Sequence, residues 1–270
     1  MIPLLKDNSL PSSPSATDGE IDDLTLYPEN DGKPMAENTE QYRWIVMIKE
    51  NLEILFADRP QVFIAADLLW YPVQASKPIA EDFRTRSQAP DVMVIFDRPK
   101  GKRGSYRQWR EENIPPQVVF EILSPSNTTS QGVQEMQSKF NFYQAHGVEE
   151  YYIYDPETYQ LQGWLRQGQR LEPIPNLASW ISPRLGIRFE VRSHQDPEIY
   201  YPDGRKFVTS LELAAQAEQA QQQAELAQQQ VNQIEVQLQQ AAVRLLQGGM
   251  SRQQVAEIMS LSQEQVNQWL

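Results

Sequence analysis

Val118-Val119-Phe120-Glu121-Ile122-Leu123 is a run of β-branched, aromatic and aliphatic residues with one acid in the middle. Apolar on both alternating faces, it reads as a strand covered from two sides, as in the centre of a sheet flanked by helices. Glu121 is the anomaly. A lone carboxylate is costly to take out of water and usually persists there only by meeting a cation, binding a metal or keeping a proton. A second acid, Asp91, follows Pro90 and opens Asp91-Val92-Met93-Val94-Ile95-Phe96. Strand starts lie at a sheet end, where side chains from several strands converge. Two carboxylates meeting there form an all-oxygen donor set of the kind hard ions such as Mg²⁺ or Mn²⁺ prefer. Lys139 lies on the helix expected after Glu121 and reaches towards the same point; its plainer reading is an ion pair with Glu135, one turn earlier. For Asp91 the plainer reading is a turn residue after proline.

Outward from this centre the chain reads as alternating elements. A cap at Asn38 and Thr39 leads into a helix over Glu40–Phe56, with Trp44, Ile45, Ile48, Leu52 and Leu55 at helical spacing. Strands are expected at 61–71, 91–96, 117–123, 150–154 and 160–165, between proline, glycine or charged breakers. A helix over 131–145, with Val133, Met136, Phe140 and Tyr143 on one face, stops before Gly147. This order predicts an α/β domain, a mixed sheet flanked by helices. Residues 1–35 are rich in Ser, Pro, Asp and Gly and cannot repay their ordering entropy. We divide the chain into a flexible leader (1–25), the α/β domain (26–195), a linker (196–212), a coiled-coil helix (213–247) and a cap (250–270).

The last third changes character. Leu213, Ala217, Ala220, Ala224, Ala227, Val231, Ile234, Leu238, Ala241 and Leu245 follow an alternating 4-3 spacing, with glutamine filling most of the outside. That is a coiled-coil seam and predicts a homodimer. Beyond Gly248 and Gly249, Ser251 with Gln254 and Ser262 with Gln265 form two capping-box patterns, each ahead of apolar residues. They predict a short helical hairpin. It resembles a helix-turn-helix, but its second helix has no Lys or Arg to meet phosphates, so a packing or oligomerisation cap is the preferred reading.

Composition excludes several chemistries. The 270 residues contain no cysteine and two histidines, so disulfides, thiolate metal sites and cysteine nucleophiles are ruled out, and a reducing, cytoplasmic location fits. His146 and His194 have no nucleophile elbow or spaced metal partner, and no phosphate-cradling glycine loop is present. Met1 to Leu5 is too short for a signal peptide, and no apolar run reaches the ~20 residues of a membrane span. The net charge of −12, from 36 acids against 24 bases, opposes indiscriminate phosphate binding. Any nucleic-acid contact must be local, and Arg98, Lys100, Lys102, Arg103, Arg107 and Arg110, interleaved with Tyr106 and Trp109, are equally readable as such a contact or as a solvated basic loop.

Four stretches carry a family resemblance: Ala89-Pro90-Asp91; Phe120-Glu121-Ile122-Leu123-Ser124-Pro125-Ser126-Asn127; Lys139 with Tyr143; and Gly147-Val148-Glu149-Glu150-Tyr151-Tyr152-Ile153-Tyr154-Asp155-Pro156. Together, across about residues 26–191, they resemble the Uma2 family, assigned to the PD-(D/E)XK restriction-endonuclease-like nucleases. The resemblance implies that fold for the α/β domain. It also implies a metal-dependent endonuclease hydrolysing phosphodiester bonds in DNA, with Asp91 and Glu121 as ligands of Mg²⁺ or Mn²⁺ and the Ile122 carbonyl as a third donor. The superfamily pattern places lysine two residues after the second acid, where this chain has Leu123. In the Uma2 pattern the lysine moves to the helix, which makes Lys139 the residue that orients water and steadies phosphate charge. Glu37 and Glu40, in the first helix turn, are further acids that could approach the cluster, although first-turn acids often serve only the helix dipole. The alternative reading is a catalytically weak or inactive nucleic-acid-binding or adaptor module that oligomerises through its C-terminal helix.

Overall fold

The computed structural model describes residues 27–32, 34–74 and 86–268; the expected leader and the hairpin's last residues, Trp269 and Leu270, lie outside them. The chain divides into two compact units, meeting at Val208 and Thr209.

In the first unit, helix α1 (Thr39–Leu55) starts where the Asn38 side chain accepts a hydrogen bond from the Gln41 N–H. Strands β1 (Val62–Ala65), β3 (Val92–Phe96), β5 (Val118–Ile122), β6 (Glu150–Asp155), β7 (Gln160–Gln167) and β8 (Arg170–Pro173) form a six-stranded sheet in that spatial order. The β5–β6 pair is parallel and its neighbours are antiparallel, so the sheet is mixed. Helix α2 (Ser130–Ala145) makes the crossover that the parallel pair requires. The short strands β2 (Trp70–Tyr71) and β4 (Tyr106–Arg107) pair with each other, and β9 (Trp180–Ile181), β10 (Arg188–Glu190) and β11 (Glu198–Tyr200) form a small antiparallel sheet.

Alternation along the central strands fills two cores. Val118, Phe120 and Ile122 of β5 and Val92, Val94 and Phe96 of β3 pack with Trp44, Ile45, Ile48 and Leu52 of α1. Val119, Met93, Ile95 and Phe63 share the opposite core with Tyr143 of α2. By the same period of two, Glu121 and Asp91 belong to the α2 face.

Three expectations are corrected. The stretch 61–71 is not one strand: it breaks between β1 and β2, with Asp67 at φ 49°. Val133 is 58% exposed, whereas Met136, Phe140 and Tyr143 face inwards as expected, joined by Gly132 and Lys139. The expected linker 196–212 contains β11, and its Ile199, Tyr201 and Phe207 are buried in the α1-side core. Asn51 of α1 ties that segment down: its amide donates to the Val208 carbonyl at 2.8 Å, and its oxygen accepts from the Tyr201 hydroxyl at 2.8 Å.

In the second unit, helix α3 (Ser210–Gln247) is followed by α4 (Arg252–Met259) and α5 (Gln263–Gln268). Thr209 with Glu212 and Ser251 with Gln254 form capping boxes, and Ser262 and Gln265 exchange the same pair of bonds. Val255, Ala256 and Val266 pack on Ala242, near the end of α3. Along α3 the apolar positions stand open within one chain: Val231 is 49% and Ile234 55% exposed.

Gly132 sets how closely α2 approaches the turn after β5, since a Cβ there would fall on the Ser126 carbonyl oxygen and the Asn127 Cα. Gly132→Ala should therefore destabilise the protein by about 1–3 kcal/mol, as overpacking does, read as a lower urea midpoint. The exposed neighbour change Gln131→Ala should stay within about 0.5 kcal/mol. Equal midpoints for the two variants would refute the close approach.

Candidate metal and catalytic site

The β3–β5 register pairs Val92 with Phe120 and Met93 with Val119. Continued by one pair, it sets Asp91 opposite Glu121 on the same face, where cross-strand Cβ atoms stand about 5 Å apart. Both are buried, Asp91 at 8% exposure and Glu121 at 2%. The two acids thus converge through sheet register alone.

Each carboxylate is held by named donors. The Ile122 N–H donates to Asp91 Oδ2 at 2.6 Å. From α2, Lys139 Nζ donates to Glu121 Oε2 at 2.6 Å, and the Tyr143 hydroxyl, one turn further on, donates to Oε1 at 2.5 Å. Tyr143 is fully buried and stacks parallel to Trp70, with ring centroids 6.3 Å apart, so its hydroxyl is fixed in place. The Ile122 carbonyl accepts from the Gln41 side-chain amide of α1 at 2.9 Å.

The charges decide the protonation state. One ammonium faces two carboxylates in a site shielded from water, so one acid keeps a proton. Burial, followed by the charge of Glu121, pushes the Asp91 pKa up to about 8. Burial works against the Lys139 ammonium, but Glu121 and Asp91 outweigh it and hold its pKa above the usual value. Burial and the adjacent Glu121 likewise raise the Tyr143 pKa, so the phenol remains a donor.

The donor set suits a hard cation: carboxylates, a backbone carbonyl and no soft ligand. Among the described residues no three Asp, Glu or His side chains converge as a ready-made cage. Asp91 and Glu121 would therefore supply the protein carboxylates, with the Ile122 carbonyl beside them and the rest of the shell left to water and substrate oxygens, as is usual for Mg²⁺.

Other expected participants lie elsewhere. Glu37 accepts from the hydroxyls of Ser124 and Ser126, both at 2.8 Å, and so anchors the turn after β5. Glu40 binds Arg43 and accepts from Trp44 Nε1 at 3.1 Å. Gln41, directly after Glu40, is the α1 residue at the site. It escaped the sequence reading because only acids were sought there. Lys139 is bonded to Glu121 rather than to Glu135 alone. Residue 123 shares the parity of Glu121, so a lysine there would rise from the strand; here the strand carries Leu123 and the ammonium comes from the helix above.

Part of the basic loop is tied to its own domain, while Lys102 and Arg110 are exposed. Arg98 Nη2 donates to Glu112 at 2.5 Å; Arg103 binds Glu111 through two bonds, at 2.7 and 3.2 Å, and lies 4.0 Å from the Phe63 ring centroid; Lys100 pairs with Glu53 at 3.3 Å. Trp109 packs on Tyr27 with centroids 4.8 Å apart. These groups fasten the loop to its own domain.

A family model, Uma2, described as "Putative restriction endonuclease", matches residues 33–192, more than half of the chain and all three central side chains. No curated protein matches. Among solved structures, a protein from Anabaena variabilis ATCC 29413 described as "a putative nuclease belonging to DUF820" is similar with a TM-score of 0.37 and 15% identity, over 56% of this chain and 74% of that one. A likeness this distant carries no argument about the site.

A pH dependence follows from Asp91. Its unfolded form ionises near 3.8, whereas the buried form holds its proton to about 8. Between those values the unfolded state binds fewer protons, so stability falls as pH rises and levels off above about 8. With metal chelated, Asp91→Asn should unfold with a shallower loss of stability across that window. Parallel profiles for wild type and variant would contradict the assignment.

Proposed function

The chain belongs to the Uma2 family of restriction-endonuclease-type proteins, and from that premise we propose that it is a Mg²⁺- or Mn²⁺-dependent endonuclease hydrolysing phosphodiester bonds in DNA, with Asp91 and Glu121 as metal ligands and Lys139 as the catalytic cation. The observation that carries this reading is the buried contact of Lys139 Nζ with Glu121 Oε2, at 2.6 Å, beside Asp91. A pair that served stability alone would gain little from this arrangement, because removing two charges and a third acid from water costs about as much as their attraction returns.

The chain's own residues have separable tasks. Tyr143 and the Ile122 N–H fix the carboxylates so that their oxygens are aimed before any ligand arrives, which lowers the reorganisation cost of binding. Lys139, the one ammonium in the cluster among the described residues, orients the attacking water and offsets the negative charge that grows on the phosphoryl oxygens. A cation at Asp91 and Glu121 supplies Lewis acidity and lowers the pKa of that water. Phosphodiester oxygens suit the site because they are hard anionic donors able to complete the shell the two carboxylates leave open.

The open seam of α3 supports a homodimer in which two chains cover Val231, Ile234 and Leu238 against each other. Two copies would then present two sites to one duplex.

Duplex and single-stranded DNA and RNA incubated with Mg²⁺ or Mn²⁺ test the activity. Cleavage of DNA should appear with wild type and fall by at least about 100-fold in Glu121→Ala and Lys139→Ala, the scale at which single electrostatic groups act. Cleavage equal in wild type and variants, or none with any substrate, would sink the enzyme reading and leave the adaptor. For assembly, Ile234→Asp with Leu238→Asp should convert a dimer to a monomer in sedimentation; an unchanged dimer would exclude the α3 seam.

A further inference from the structure

A third acid, Asp67, lies near Asp91 and Glu121, just past the end of β1. The β1–β3 register pairs Ala65 with Met93 and Ile64 with Val94. Beyond Ala65 the chain leaves the strand, and Asp67 follows two residues later at φ 49°. Phe63 and Ala65 of β1 face the α2-side core. The Asp67 N–H donates to the Pro90 carbonyl at 3.0 Å, which ties this backbone to the residue immediately before Asp91. Asp67 therefore stands beside the central pair, close enough for Asp91 to feel its charge.

Asp67 differs from its two neighbours. It is half-buried, and among the described residues no hydrogen bond reaches its carboxylate. Its pKa is pushed up to about 6 by burial and the charge of Asp31, with Lys139 lowering and Glu121 raising it; the carboxylate shares the field of the central cluster without touching it.

A second observation points to a ligand beside the same pair of acids. Tyr151, on β6, has no exposed surface, and among the described residues its buried hydroxyl has no hydrogen-bond partner. A buried, unpaired hydroxyl costs about 1–3 kcal/mol, and here it sits in the field of both Glu121 and Asp91. Its ring packs 5.1 Å from that of Tyr143, centroid to centroid, so the hydroxyl belongs to the cluster's own side of the sheet.

We propose that Asp67 is a third carboxylate of the centre, an outer acceptor for the hydration shell of a divalent cation held at Asp91 and Glu121, the pair whose field the Tyr151 hydroxyl shares. The proposal rests on the metal reading above and adds to it a residue and a role. An outer role fits the geometry, because Asp67 does not converge with the other two as a direct ligand set. It also fits the ion: Mg²⁺ keeps several waters, which need acceptors, and an unbonded carboxylate beside the pair provides them.

Asparagine is the informative replacement. It has nearly the shape of aspartate and tolerates the left-handed backbone at φ 49°, so Asp67→Asn removes charge without disturbing the turn; Asp67→Gly keeps the backbone should the amide misfold. Mn²⁺ binding to the full chain is measured by calorimetry for wild type, Asp67→Asn, Asp91→Asn and Tyr151→Phe, with thermal unfolding in chelator as the folding control. The expected result is a loss of affinity of about 10-fold or more in Asp67→Asn, the scale of outer-sphere partners, a smaller loss in Tyr151→Phe, abolition in Asp91→Asn, and a metal-free unfolding temperature for Asp67→Asn at or above wild type. Wild-type affinity in Asp67→Asn alongside lost binding in Asp91→Asn would overturn the role of Asp67 and leave the metal reading intact. No Mn²⁺ binding by wild type would overturn both.

Discussion

The architecture of the first unit turns on one electrostatic constraint: two carboxylates and one ammonium share a volume from which water is excluded. Glu121, at 2% exposure, could not remain in the middle of an apolar strand without Lys139 and Tyr143 on its two oxygens. Burial, and after it the charge of Glu121, pushes the Asp91 pKa up to about 8, since one ammonium does not offset two carboxylates. A divalent cation balances two ionised carboxylates better than one lysine can. The same imbalance that taxes the fold makes the site receptive to such an ion.

Sheet register and one helix crossing deliver this arrangement. The antiparallel β3–β5 pairing places the acids opposite each other, and a slip of one residue would send either to the α1 side, among Trp44 and Ile48. The parallel β5–β6 pairing requires a crossover, and α2, which makes it, lowers Lys139 and Tyr143 onto Glu121 with the one-turn spacing of i and i+4. Gly132, with no Cβ, lets the first turn of α2 press on the turn after β5 and so sets the height of the helix above the sheet. Glu37, caught between Ser124 and Ser126, secures that turn from α1. Fold and site are thus the same set of contacts seen at different distances from Glu121.

Much of this was legible because the chemistry-bearing residues break a pattern. An acid inside Val-Val-Phe-Glu-Ile-Leu is visible wherever apolar alternation is strong, and Asp91 stands out at the head of an equally apolar strand. Lys139 could be placed on the right helix, but its choice of Glu121 over Glu135 depends on how that helix is rotated. The apolar spacing found Met136, Phe140 and Tyr143 on the inward face but misplaced Val133, which is exposed, and gave no sign that the polar Lys139 faces in. Asp67 was hidden inside a stretch that reads as continuous strand; its break is a positive φ, which residue type there does not announce. The burial of residues 198–207, placed in a linker, depends on Asn51 of α1, about 150 positions away. The pairing of the basic loop was equally hidden, since its acid partners Glu53, Glu111 and Glu112 are partly remote in sequence. Local pattern carries information about strands and caps; pairings between distant side chains are settled only by packing.

The central claim is that Asp91 and Glu121 bind one divalent cation between them. The most direct measurement is the anomalous scattering of a crystal grown or soaked with Mn²⁺. The account predicts a single strong peak within bonding distance of both Asp91 and Glu121 carboxylates. A crystal with no peak there, or with Lys139 still closed on Glu121 while Mn²⁺ sits elsewhere on the chain, would contradict it.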